Sequence, residues 1–173
     1  MSDNNKSEKQ TGKKSVEFSS LPVKLDKFKT LPQAEMKSPY DTAAMFVVAL
    51  TLYTQDRDES IAMINFLKGP SPLSQRELSL FKTQVTDYLA RSYFAGATPQ
   101  NDYLPSQPYT VVVSDNAHSY AESGCVNLFV HCGGADSPRP IEMRLAKDSK
   151  WYLTGHSSLL AGIRKPESTN PWV

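Results

Sequence analysis

Between Ala43 and Leu50 the chain sets eight apolar residues in a row, and Leu52 and Tyr53 extend the run. A helix that is apolar all round must be buried on most sides, so this stretch predicts the central helix of the fold, over about 39–54. Ser38-Pro39-Tyr40-Asp41 marks its start: Ser38 suits the N-cap, Pro39 the first helical position, and Asp41 a capping-box-like pattern. A second helix, about 58–68, follows from Ile61, Ile64 and Leu67 at helical spacing, and Gly69-Pro70 stops it. Asp56, Asp58 and Glu59 at its start suit the positive end of the helix dipole. Ser74 and Glu77 form a capping box that opens a third helix, about 74–95, with Leu78, Phe81, Val85, Tyr88 and Leu89 on one stripe.

Beyond Gly96 the period changes from helical to alternating. Residues 109–114 are Val-rich, 124–132 alternate, 139–146 alternate again, and a turn at 147–150 leads into 151–154. A short turn between two alternating runs predicts a hairpin, and one polar face predicts an antiparallel sheet covered on one side. Helices followed by about four antiparallel strands is an α+β arrangement. Residues 157–163 suggest a last helical turn. The alternation puts Val126, Leu128 and Val130 on the core face, and Asn127, Phe129, His131, Glu142, Arg144 and Tyr152 on the other.

The N-terminus breaks this pattern. Residues 1–20 are rich in Lys, Ser, Asn and Gln, a composition that does not offset its ordering entropy by burial, so a disordered polar tail is expected there. Residues 21–37 scatter Leu21, Val23, Leu25, Phe28, Leu31 and Met36 among lysines, and predict an irregular arm laid over a single α+β domain at 38–173. Charge follows the same division. Residues 1–37 carry eight Lys against five acids, and the remainder eleven basic residues against thirteen acids. The folded part therefore has no concentrated basic character, and nucleic acid is not an expected partner. No apolar run approaches the ~20 residues that span a bilayer, and the first residues lack the apolar core of a secretory signal. With two cysteines whose odd spacing sets them on opposite strand faces, free thiols and a cytoplasmic location are expected.

Candidate chemistry is sparse. His118, Cys125, His131 and Cys132 lie close in sequence, but adjacent His131 and Cys132 point to opposite faces and no CxxC or HxxxH spacing exists, so no metal site is expected. Cys125 or Cys132 with His131 or His156 lacks the flanking signature of a nucleophile. Gly133-Gly134 joins two strands, which a turn explains without a phosphate. No cofactor is implied.

Several segments resemble a bacterial family of domains of unknown function, found in gut-type anaerobes: Ser38 to Leu50, Phe66-Leu67-Lys68-Gly69-Pro70, Arg91-Ser92-Tyr93-Phe94, Gly96-Ala97-Thr98-Pro99, Ala135 to Pro140, and Trp151-Tyr152-Leu153 with Ser157-Ser158-Leu159-Leu160. The likeness covers about residues 21–173 and implies no catalytic residues. A looser similarity, in element order and in the 141–145/150–153 hairpin, is to cystatin-like and NTF2-like folds.

These observations favour a non-catalytic binding or protein-interaction module over an enzyme. Phe129, Arg144 and Tyr152 would form a homodimer or partner face, since aromatics beside Arg are common at interfaces. The alternative is a small-molecule site or enzyme pocket between the third helix and the sheet, lined by Tyr93, Tyr103, His131, Asp136 and Arg139.

Overall fold

The structure, a computed structural model, describes residues 12–172. An antiparallel sheet of five strands runs in the order β1 (Lys13–Phe18), β2 (Tyr109–Ser114), β3 (Cys125–Val130), β4 (Arg139–Leu145) and β5 (Trp151–Gly155). Between β1 and β2 the chain forms α1 (Leu25–Lys29), α2 (Pro39–Thr51), α3 (Arg57–Lys68) and α4 (Gln75–Gln84). The class is α+β.

The all-apolar run does form the central helix. Residues 42–50 of α2 are buried throughout, and α2 packs against all five strands. Pro39 holds the first helical position, but the Ser38 side chain makes no capping hydrogen bond. Asp41 turns to Lys14 instead, 3.9 Å away. Asp56 caps α3 by accepting from the Glu59 amide at 3.3 Å, and Gly69 ends that helix at φ +56°. The Ser74–Glu77 capping box opens α4.

Two expectations need correction. Residues 13–18, expected in the tail, are β1, paired along their whole length with β2. Val16 and Phe18 enter the core, and that burial offsets the ordering of an otherwise polar segment. Residues 1–11 of the expected tail lie outside the described residues. The third helix ends at Gln84 rather than near 95, because Val85 turns to extended geometry at ψ 116°. The β-branched pair Val85-Thr86 is a weak helix continuation, and the turn delivers Leu89, Ala90 and Tyr93 to the core. The 21–37 arm is built into the same core through Phe28 and Met36.

Helices cover one face of the sheet. α4 reaches the core through Phe81, whose ring lies 6.4 Å from Phe46 of α2. The opposite face carries Asn127, Glu142 and Arg144 exposed, with Phe129 half-buried. No helix among the described residues is long and apolar enough to cross a membrane.

Candidate functional site

The site grows from a split in the sheet. β3 pairs with β2 only at Val113 and Ser114, with the His131 amide adding a bond to the Val112 carbonyl at 3.0 Å. Along the other half of β2 the neighbour is a different segment. Phe94 bridges Val111, and the Ala95 amide donates to the Thr110 carbonyl at 2.8 Å. Where the two neighbours part, a groove of about 470 Å³ opens, lined by residues 93–98, Val112 and the chain from His131 to Pro138.

Glycine sets the spacing of its walls. A Cβ on Gly133 would lie 1.9 Å from the Ala97 carbonyl oxygen, so the two walls approach to a distance that only glycine allows. The Gly133 amide donates to the Ser92 carbonyl at 2.8 Å. Gly133 is therefore a close-contact residue and not simply part of a turn.

Three of the expected pocket residues meet in this groove: Tyr93, His131 and Asp136. Tyr93 is held by a 2.6 Å hydrogen bond to the Leu159 carbonyl, and burial pushes its phenol far above the ordinary value. His131 Nε2 lies 3.1 Å from Ser114 Oγ, and burial, then the Lys13 charge, hold its imidazole below the ordinary value. Asp136 is exposed and accepts from Arg164 Nη1 at 2.7 Å, which lowers its carboxyl. The Cys132 thiol donates to Ser92 Oγ at 3.3 Å. Thiol and imidazole thus serve different partners, and no nucleophile–base pair forms between them.

Tyr103 and Arg139 stand outside the groove. Tyr103 is fully buried, stacks 5.7 Å from Tyr88, and donates to the Arg164 carbonyl; burial pushes its phenol up to about 12. Its hydroxyl would meet a Cβ on Gly134 at 2.3 Å, so it supports the 133–138 wall from behind. Arg139 Nη2 donates to the Gly162 carbonyl at 3.0 Å. The groove is also not bounded by the third helix: its second wall is the 94–98 segment.

The remaining expected residues lie on the helix-free face. Phe129 opposes Pro140, and Arg144 opposes Tyr152. Tyr152 stands on the edge strand, and its ring reaches past the sheet edge to Gly69, the C-cap of α3, where an added Cβ would fall 2.3 Å from it. Its hydroxyl donates to Asp148 at 2.6 Å, which raises its pKa.

The profile of the family described as domain of unknown function DUF6935 matches residues 20–167. The chain belongs to that family. No curated protein and no solved structure matches this DUF6935 domain.

One cluster in the domain was not legible from sequence spacing. His156 Nε2 lies 2.8 Å from Glu77 Oε2, and Lys68 Nζ lies 3.2 Å from the same oxygen. The imidazole sits between Phe46 and Phe81, with ring centroids at 5.2 and 5.4 Å. Burial holds His156 below its ordinary value against the opposing pull of Glu77. Burial works against the Glu77 carboxylate too, but hydrogen bonds from His156 and Lys68 outweigh it and keep the carboxyl low. The Glu77 capping box was the one sequence signal at this cluster. Among the described residues, no group of three or more His, Cys, Asp or Glu is placed to hold a metal.

Proposed function

We propose that this DUF6935 domain is a non-catalytic binding module that takes an extended segment of a protein partner in the groove between residues 93–98 and 131–138. The carrying observation is the groove itself: Tyr93, His131 and Asp136 meet there, each with its polar group already engaged. Tyr93 and His131 give the groove a fixed inner wall, and the exposed Asp136–Arg164 pair adds charge at its rim for recognition. The groove is open along one side and is continued onto the helix-free face by Val112 and His131, whose neighbour is Ser114. A groove that runs out onto the sheet face can take an extended polypeptide segment along it. Phe129 and Arg144 on that face extend the contact area.

A second reading is a small apolar ligand in a cleft of about 520 Å³ at the end of α2, lined by residues that include Leu21, Leu52, Phe94 and Tyr109. Val23 and Leu104, 58% and 69% exposed, stand on its rim and favour this reading. One strand, then helices, then four strands in sequential sheet order supports the cystatin-like or NTF2-like comparison, at the level of element order. The two free cysteines fit a reducing, cytoplasmic setting.

A display library of random peptides selected on the full chain tests the leading reading. Selected peptides should bind the wild type and lose at least about tenfold in affinity to Ser137→Trp, which fills the groove from an exposed loop. Equal binding to both proteins overturns it.

A further inference from the structure

Among the described residues, β1 is the outermost strand on its side of the sheet, with β2 along one of its two edges. The Asp115 amide donates to the Gly12 carbonyl at 2.9 Å, which makes residues 12 and 115 a hydrogen-bonded pair. Such pairs alternate along an antiparallel ladder. With Lys13 opposite Ser114, residues 14, 16 and 18 therefore bond to β2, while Lys13, Ser15 and Glu17 aim their N–H and C=O groups away from the sheet. The Glu17 carbonyl shows that direction directly, since it accepts from Gln33 Nε2 at 3.1 Å. These three residues also carry their side chains on the helix-free face, because Val16 and Phe18 point into the core.

We propose that a second copy of this chain pairs along this edge, β1 antiparallel to β1 about a two-fold axis perpendicular to the sheet, with Ser15 opposite Ser15. Two constraints select that register. Directly opposed residues share a face, and the axis maps the helix-free face onto itself, so Lys13, Ser15 and Glu17 must meet one another. Centring the axis on Lys13 or on Glu17 opposes like charges, and the intermediate registers set a charge against Ser15. Centring on Ser15 sets Lys13 of each copy against Glu17 of the other, twice. All three residues then present their free backbone groups to the partner strand, and the Gln33 amide gives way at the Glu17 carbonyl. Two five-stranded sheets become one, with their helix-free faces continuous. Lysines also blunt solitary strand edges, a role that predicts a monomer whatever charge occupies positions 13 and 17.

Sedimentation velocity on the full chain across a concentration series separates these cases. The wild type should shift from monomer to dimer as concentration rises. Lys13→Glu and Glu17→Lys, each creating like-charge pairs, should remain monomeric, and the double exchange K13E/E17K should dimerise again. Ser15→Pro should also remain monomeric. It removes an N–H that faces away from β2, so the internal ladder survives and the circular dichroism spectrum and Tm should stay near those of the wild type. A wild type that is monomeric throughout, a dimer that survives Ser15→Pro, or a folded double exchange that fails to associate each overturns the proposal.

Discussion

His156 Nε2 donates to Glu77 Oε2 at 2.8 Å, and this oxygen also receives Lys68, so one carboxylate ties the end of α3, the start of α4 and the end of β5 together. The Lys68 and His156 side chains are only 4% and 3% exposed, so each depends on Glu77 for its polar partner. Glu77 also closes the α4 capping box through Oε1.

Glu77→Gln should therefore destabilise the domain by about 2–3 kcal/mol, because it leaves the Lys68 charge buried beside a neutral amide. The figure sits below that of a fully enclosed pair, since Glu77 is partly exposed. Urea unfolding measures it. Lys68→Met combined with Glu77→Gln should recover part of the loss, as removing both partners costs less than removing one.

The same cluster sets a pH dependence. His156 has a folded pKa below its ordinary 6.5, so the unfolded chain takes up a proton first and stability falls as pH drops through that value. Glu77, also held low, adds a further loss as pH falls below its ordinary 4.5. Tm should thus decline between about pH 7.5 and about pH 5, the window of the imidazole. His156→Phe, which keeps the stack with Phe46 and Phe81, should flatten that decline. An equally steep decline in the variant would assign it to other groups.

β1 tests how firmly the N-terminal segment belongs to the domain. Phe18 is 3% exposed within the core, so Phe18→Ala should cost about 3–5 kcal/mol in chemical denaturation. A free tail would give no measurable change.

Gly133→Ala should be destabilising by about 1–3 kcal/mol or more, because the added methyl meets the Ala97 carbonyl. Gly124 offers a control: it has φ +75° but nothing within 4 Å of an added Cβ. Gly124→Ala should cost only the backbone term, about 1–2 kcal/mol. Only the Gly133 variant should also weaken binding at the groove.

The legible parts of this fold are those where local pattern and tertiary demand agree. The apolar run at 43–50, the Ser74–Glu77 box and the alternation at 125–130 each specify their element alone. β1 was hidden because an edge strand needs few apolar residues: Val16 and Phe18 do the anchoring, and Lys13, Lys14, Ser15 and Glu17 remain exposed. α4 was overextended because Val85, Tyr88 and Leu89 continue a helical spacing that the chain abandons in order to bury Leu89 and Ala90. The groove was half legible. Tyr93, His131 and Asp136 are candidates in the sequence, His131 through its place in the alternation of the sheet, but the split of β2 between two neighbours, which brings them together, is a tertiary event. Lys68, Glu77 and His156 are too far apart in sequence for spacing to connect them.

Amide chemical-shift mapping of the full chain with a library-selected peptide tests the binding role most directly. Perturbations should concentrate at residues 93–98 and 131–138, extend to Ser114 and Phe129, and disappear with Ser137→Trp. Perturbations centred instead on Leu21 to Val23 and Leu104 would move the site to the second cleft and contradict the account.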